Sequence, residues 1–309
     1  MTMHFRALAE QAMAVGTIDA DDILALRREG WSDSAIDADE AEALFVLNDH
    51  LADPSTEWSQ FFAEALSEYI VNGVLPHGYV DDELAEWLTE RIDSNGRVDT
   101  MTELELLVRV LEKALGSPGS LKAYACEQIE QAVLTGEGPT RDGGTLEPGK
   151  VNAAEADLLR RLIFSPSSDR PAAVSRSEAE MLFRIKDASL GADNAPDWKQ
   201  LFVQGVGNYL QGFGGAEPLS RERAAELESF MNSAAPSIGG FFARMASSSM
   251  KVGFSEVFGD RDDKPDVLDL ADEAYQVTGG EHDWLQTLID ANGQVDEYDQ
   301  ALLDFIAED

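Results

Sequence analysis

Cysteine and basic residues are scarce in this chain, and both shortages limit where it folds and what it contacts. Cys126 is the single cysteine of the 309 residues, so no intramolecular disulfide can form, which favours a reducing compartment. Lysine and arginine number 23 against 59 aspartates and glutamates, for a formal net charge of −36. Because nucleic acids and anionic membranes are bound mainly through basic side chains, direct binding to either is disfavoured. The expected partners are cations or proteins, basic ones in particular, and the alternative is an acidic surface that contacts only solvent.

Long apolar runs are also missing from the sequence. No window approaches 18 uninterrupted apolar residues, so no integral membrane segment is expected. Glu10 and Gln11 interrupt the N-terminal apolar stretch, which argues against a signal peptide. The hydrophobic content of 44% is nevertheless ordinary for a folded protein. These features predict a folded cytoplasmic protein of bacterial type, long enough for two or three domains.

The chain contains two related halves. Residues 39–73 return as residues 177–212 with a two-residue insertion, and residues 282–306 resemble residues 86–110 as a partial third copy. This self-similarity indicates a gene duplication. It predicts a helical repeat domain at 1–115, a second copy at 116–233 with a linker-like loop at 135–150, a connector at 234–254 and a partial third helical unit at 255–309.

Short motifs that begin a helix recur along the chain. Each has an aliphatic residue, then Asp, Ser or Asn, then an apolar helix face, as in TIDADDILAL, AIDADEAEALF, KVNAAEADLL and QVDEYDQALL. The polar residue is typical of a helix N-cap, and the acid that usually follows it suits a capping box and the helix dipole. No run alternates as a β-strand does. The sequence predicts an all-α fold of duplicated helical repeats, with roughly a dozen short helices and capped N-termini.

Two turns of nearly identical sequence resemble the centre of an EF-hand calcium loop. IDSNGRVD at residues 92–99 returns as IDANGQVD at residues 289–296, with glycine and flanking Asp and Asn at the EF-hand spacing. The candidate metal ligands are Asp93, Asn95, Asp99, Asp290, Asn292, Asp296 and Asp299.

The ends of these loops depart from the EF-hand pattern. The first ligand position is Arg91 or Leu288, and the last, which should be a bidentate glutamate, is Thr102 or Asp299. Any Ca²⁺ or Mg²⁺ is therefore expected to bind weakly, and the C-terminal copy is the better candidate. The alternative is a purely structural turn, in which glycine supplies a positive φ and Asp and Asn bond to the nearby backbone.

The helix starts resemble those of the TerB-like (tellurite-resistance) helical family. The nearest match is SDSAIDADEAEALF at residues 32–45, in which Ser34 stands where that family usually has glycine. The resemblance covers short motifs scattered over most of the chain. It implies an all-helical bacterial protein linked to divalent metals or stress complexes, and it carries over Asp33, Asp37 and Glu40 as candidate cation contacts.

Residue patterns typical of catalysis are missing from the sequence. The four histidines lack the spacing of a zinc site, and Cys126 lies near an apolar helix face, where it is expected to be buried and inert. We therefore expect a non-enzymatic acidic binding or scaffold protein, with no cofactor or a weakly bound divalent cation.

The alternative is a DNA mimic, whose carboxylates imitate phosphates in the basic groove of a nucleic-acid-binding protein. Either function requires a protein partner. Residues 233–254, which are poor in charge and carry Phe and Met, are either a connector or a docking segment for that partner.

Overall fold

The computed structural model describes residues 3–32, 35–93, 97–98, 100–139, 146–167, 174–210, 279–293 and 295–308. Within these ranges the chain forms α-helices and no β-strand, which confirms the all-α prediction. The helices are α1 (Met3–Val15), α2 (Ala20–Gly30), α3 (Ala38–His50), α4 (Thr56–Asn72), α5 (Asp82–Ile92), α6 (Met101–Lys113), α7 (Gly119–Thr135), α8 (Ala153–Ile163), α9 (Arg176–Ala188), α10 (Pro196–Leu210), α11 (Gly279–Asp290) and α12 (Glu297–Glu308). Not one of these described helices combines the length and the apolar character that crossing a membrane requires.

The predicted capping of the helix N-termini is confirmed at most of the motifs. The side chains of Asp19, Asp37, Asp81, Asn152 and Ser175 each accept a hydrogen bond from a backbone N–H in the first turn of the helix that follows. Helix α6 differs, because its cap is Thr100 and not the preceding aspartate of the motif. Four of the capping boxes also bury the glutamate that bonds back to the cap, at Glu40, Glu103, Glu155 and Glu178. The recurring acids of the sequence motif are thus used to start helices.

The duplication is visible in individual contacts. The Trp87 ring packs edge-on against Phe45 at 5.5 Å, and its indole N–H donates to Glu42 at 3.1 Å. In the second half Trp284 packs against Phe183 at 6.0 Å and donates to Glu180 at 3.0 Å. Helix α11 therefore holds in the second half the place that α5 holds in the first.

Among the described residues, each half contributes six helices, α1–α6 in the first and α7–α12 in the second. In the first, α1 packs on α2 and α3, and α4 packs on α6; in the second, α7 packs on α8 and α9, and α10 packs on α12. Helix α6 contacts both α7 and α8, which joins the repeats into one continuous hydrophobic core. The domain boundaries remain a prediction, and the connector at 234–254 lies outside the described residues.

One buried hydrogen bond of the first repeat has no equivalent at the matching tryptophan of the second. The indole N–H of Trp58 donates to Asn48 Oδ1 at 3.0 Å, inside the core. Lys186 stands at the position of Asn48 in the second repeat, and the buried N–H of Trp198 has no hydrogen-bond partner among the residues that the structure describes. The matched tryptophans therefore differ in one hydrogen bond.

This difference predicts unequal losses of stability from the same substitution at the two tryptophans. Trp58→Phe should lower the free energy of unfolding by about 1–3 kcal/mol, because it leaves the Asn48 amide buried without its donor. The loss from Trp198→Phe should be smaller than that from Trp58→Phe by about 1–3 kcal/mol, since this change removes a buried donor that already lacks an acceptor. Urea denaturation of both variants measures the difference, and equal losses would contradict the assignment.

Candidate functional site at the second Asp-x-Asn-Gly turn

The described residues Asp93 and Val98 of the first turn, after α5, contact the second repeat. Asp93 Oδ2 accepts a hydrogen bond from the Tyr124 hydroxyl at 3.1 Å, and Gln128 Oε1 accepts one from the Val98 N–H at 2.9 Å. Both partners lie on α7, and Val98 is buried. Burial and the bond to Asp93 raise the pKa of Tyr124. This turn is therefore part of the junction between repeats, although Asn95 and Asp99 lie outside the described residues.

The second turn, between α11 and α12, is open to solvent on its outer side. Gly293 has a φ of +80°, as the turn reading requires. Asp290 is exposed and accepts a hydrogen bond from Gln286 at 2.9 Å, one helical turn earlier in α11. Val295 is 56% exposed, whereas its counterpart Val98 is buried. Similar sequences at the two turns therefore occupy different environments.

The inner side of the second turn encloses a lysine. The Lys186 ammonium lies 2.8 Å from Asp187 Oδ1, 2.8 Å from Asp296 Oδ2 and 2.9 Å from Asp299 Oδ1. The Lys186 and Asp299 side chains are 0% exposed, and that of Asp296 is 7% exposed. Asn292 Nδ2 donates to Asp187 at 3.0 Å and to Asp296 at 3.2 Å. We call these five residues the Lys186 cluster.

Two aspartates of the Lys186 cluster also form the capping box of α12. Asp296 Oδ1 accepts from the backbone N–H groups of Tyr298 and Asp299, at 2.8 and 3.0 Å. Asp299 Oδ2 accepts in return from the backbone N–H of Asp296, at 3.1 Å. Each carboxylate thus binds the helix start with one oxygen and the ammonium with the other. Helix α12 is thereby fixed to α9, on which Lys186 lies.

Burial and hydrogen bonding oppose each other in the Lys186 cluster. Burial alone would lower the pKa of Lys186, but its bonds to Asp187, Asp296 and Asp299 raise that pKa above the ordinary value. Burial would likewise raise the pKa of Asp296, but the bonds from Lys186 and the backbone hold it below the ordinary value. For Asp299 burial prevails and the pKa is raised. The ammonium and Asp296 are therefore a charged pair at neutral pH.

The aromatic core of the second repeat surrounds the same ammonium. Lys186 Nζ lies 5.3 Å from the ring centre of Phe183 and 6.0 Å from that of Phe202. Ring faces attract cations at such distances, and more strongly where water is excluded. Both carboxylates and aromatic rings therefore lie close to the buried charge of the lysine.

The metal ligands predicted from the sequence are only partly brought together. Asp296, Asp299 and Asn292 belong to the Lys186 cluster, while Asp290 and Asp93 bond to Gln286 and Tyr124. In the part of the chain that the structure describes, no three acidic, histidine or cysteine side chains are arranged to hold a metal ion. Metal binding at either turn remains a prediction.

The residues implied by the TerB-like resemblance lie in a helix start. Asp37 and Glu40 form the capping box of α3, with bonds of 2.9 and 3.2 Å between side chain and backbone, and Asp33 lies outside the described residues. The cysteine prediction is confirmed in its structural part, because Cys126 is buried and burial raises its thiol pKa to about 12. Such a thiol is a poor nucleophile at neutral pH.

Lys186 and Asp187 are the site residues that sequence reasoning missed. The signal is a lysine on the buried face of α9, in MLFRIKDA, where the first repeat has Asn48 in ALFVLNDH. A buried lysine requires acidic partners, and the acids of the C-terminal turn are candidates for that role. Comparison of the chain with protein-family models, with curated proteins and with solved structures finds no match.

Proposed function

We propose that this chain is a non-enzymatic, cytoplasmic binding protein whose acidic surface receives a basic protein partner. One observation carries the proposal: α5 presents a row of exposed carboxylates along one side. These belong to Asp82, Glu83, Glu86 and Glu90. We call them the α5 acidic row.

The α5 acidic row lies opposite the face by which the helix is anchored. Ala85, Leu88 and Ile92 are the buried residues of α5, and at 100° per residue they fall on the far side of the helix. The four carboxylates extend over about 12 Å of helix axis, at 1.5 Å per residue. A partner can therefore contact all four at once without disturbing the packing of the helix.

Neighbouring cations of the first repeat are engaged with other acids. Arg91, which follows the row, donates to Glu42 of α3 at 2.6 Å. Other pairs between helices join Arg27 to Glu64 and Lys113 to Glu68. With these cations held in pairs, the field over the α5 acidic row remains negative, which steers a basic surface toward it.

The same proposal assigns a structural role to the second turn. Lys186 already places a positive charge among the carboxylates of Asp187, Asp296 and Asp299. A divalent cation would have to displace a buried ammonium that makes three short contacts. We propose that the intramolecular lysine stands where the EF-hand resemblance suggests a metal. Weak cation binding at the first turn remains a prediction.

Affinity capture with two matched variants tests the α5 acidic row. The test variant carries Asp82→Asn, Glu83→Gln, Glu86→Gln and Glu90→Gln. The control carries Asp53→Asn, Glu127→Gln, Asp193→Asn and Asp197→Asn, which removes the same charge from exposed positions elsewhere. From lysate of the source cell, the control should retain the partner of the native chain. The test variant should bind that partner about tenfold more weakly, a loss of about 1.4 kcal/mol, and salt should weaken the native complex.

Two outcomes decide the proposal. If both variants retain the partner equally, the α5 acidic row is not the contact surface. If the captured protein binds nucleic acid and duplex DNA displaces it from the native chain, the partner surface is a DNA groove, and the DNA-mimic alternative replaces the scaffold.

A further inference from the structure

The two repeats are joined by a specific face of α6. Leu104, Val108 and Leu111 are 0% exposed and lie at helical spacing on the side that carries Glu105 and Glu112. Both of these glutamates bind Arg161 of α8. This side of α6 is therefore the surface on which the second repeat docks.

Helix α8 supplies the opposing surface. Its buried residues Ala156, Leu159 and Ile163 correspond to Ile23, Leu26 and Gly30 of α2, which are buried as well. These positions pack inside their own repeat. Leu158 and Leu162 are also buried, 1% and 0% exposed, and they flank Arg161 on the side that faces α6. The α6–α8 part of the junction therefore consists of a leucine pair and an arginine on α8 against an apolar strip and two glutamates on α6.

Helix α12 resembles α6 on its inward face, which is apolar, but differs from it on the outward face. Aligned by their capping boxes, Leu106 corresponds to Leu302, and both are 0% exposed. The outward strip of Leu104, Val108 and Leu111 corresponds to Gln300, Asp304 and Ala307, and all three of these are exposed. The apolar strip that accepts another repeat is thus absent from α12.

Helix α2 in turn lacks the leucine pair by which α8 docks on α6. The positions of Leu158 and Leu162 are taken by Ala25 and Glu29, which are both partly exposed. Docking α2 against α12 in the manner of α8 against α6 would bury Glu29 and Asp304 in one interface. Burying the like charges of Glu29 and Asp304 together is unfavourable, and the leucine pair and apolar strip that form the internal junction are missing from α2 and α12.

We propose that both outer faces are closed to a second copy of this chain, so that the docking surface between repeats is used once, internally. Repeat arrays need polar outer faces at their ends, since a head-to-tail interface left open at both ends propagates into filaments. The outward residues of α2 and α12 supply such faces. A binding partner therefore contacts the chain elsewhere than at a repeat junction.

Two variants of the full chain test this inference, each of which restores the apolar docking surface on one outer face. The head variant carries Ala25→Leu and Glu29→Leu, which copies the leucine pair of α8. The tail variant carries Gln300→Leu, Ala301→Glu, Asp304→Val and Ala307→Leu, which copies the outward face of α6. Light scattering coupled to size-exclusion chromatography gives the mass of each, and circular dichroism checks that each has kept its helices.

The expected result is pairwise association. The native chain should keep its monomer mass of 33.7 kDa at every concentration, and the head and tail variants should each remain monomeric alone. Their mixture should form a one-to-one complex, and a chain with both sets of substitutions should form open-ended assemblies. Concentration-dependent association of the native chain would show that its ends are open. Folded head and tail variants that do not associate would show that these faces do not form the junction.

Discussion

Among substitutions that remove one cation from an ion pair, Lys186→Met should destabilise the protein most. The substitution keeps a long apolar side chain but removes a buried ammonium from Asp187, Asp296 and Asp299. Deleting one partner of a buried ion pair leaves uncompensated charge and typically costs about 3–5 kcal/mol. We expect a loss of that size in the free energy of unfolding, measured by urea denaturation at neutral pH.

The cost of Lys186→Met should depend on pH in a defined direction. The pKa of Asp296 is lowered in the folded state, so its stabilising contribution is present above its ordinary value of 3.8 and is lost as the pH falls further. The pKa of Lys186 is raised, so its contribution is present below 10.5 and is lost as the pH rises through the folded value. The difference between native chain and variant should therefore be largest between these limits and shrink outside them.

Lys199→Met is the matched control for this prediction. Lys199 lies in the same repeat and contacts Glu297 at 3.0 Å, but the two side chains are 40% and 72% exposed. Exposed pairs of this kind contribute about 0–1 kcal/mol. Equal losses for the two lysines would show that the Lys186 cluster contributes no more than a surface pair.

The same variant tests the structural role of the second turn. Without Lys186, the carboxylates of Asp187, Asp296 and Asp299 lack their internal cation, so Ca²⁺ or Mg²⁺ should raise the melting temperature of Lys186→Met more than that of the native chain. A rise in the native chain that is larger for Ca²⁺ than for Mg²⁺, and that Asp296→Asn abolishes, would establish the turn as a calcium site.

Helix starts were predictable because capping is local. Asp19, Asp37 and Asn152 each lie within three residues of the N–H groups that they bind, so the motif alone contains the interaction. Thr100 shows the limit of this reasoning, since the motif pattern places the cap of α6 at the aspartate before it, whereas the structure uses Thr100. Boundaries that depend on a one-residue choice need the packing of the helix to decide them.

The packing position of the C-terminal helices could not be predicted from the sequence. The similarity of residues 282–306 to 86–110 shows that they form an α5–α6-like pair, but not which repeat they pack against. That is decided by contacts across more than a hundred residues of chain, such as Trp284 with Glu180 and Lys186 with Asp299. The Lys186 ammonium that contacts the carboxylates of the second turn likewise lies on α9, more than a hundred residues earlier in the chain. Metal binding by these carboxylates remains a prediction.

Arg161→Met should give the second-largest loss, because Arg161 of α8 forms ion pairs with both Glu105 and Glu112 of α6 and so links the repeats. Its guanidinium donates to both oxygens of Glu105 at 2.7 and 2.9 Å, and to both oxygens of Glu112 at 2.7 and 2.9 Å. Hydrogen bonds to Glu112 and Glu105 hold the pKa of Arg161 above its ordinary value. Bidentate pairs of this kind are stronger and more directional than single contacts.

The size of that loss follows from partial burial. The side chains of Arg161, Glu105 and Glu112 are 23%, 21% and 34% exposed, so water screens part of the interaction. We expect a loss of about 2–3 kcal/mol, below the range for fully buried pairs. Arg160→Met is the control, since Arg160 makes one hydrogen bond of 2.9 Å to the neutral Gln204 within the second repeat and should cost about 1 kcal/mol.

A double-mutant cycle separates the stability contributed by the Arg161 ion pairs from that contributed by the apolar contacts between α6 and α8. With Arg161 removed, Glu105 and Glu112 lie on the same side of α6 without the cation that joined them, and they repel each other. Adding Glu105→Gln and Glu112→Gln to Arg161→Met should therefore recover part of the lost stability, although the same two changes destabilise the native chain. If the effects simply add, Arg161 is not coupled to the two glutamates, and the repeats are joined by the apolar strip of α6 and by the contacts of α7 at the first turn.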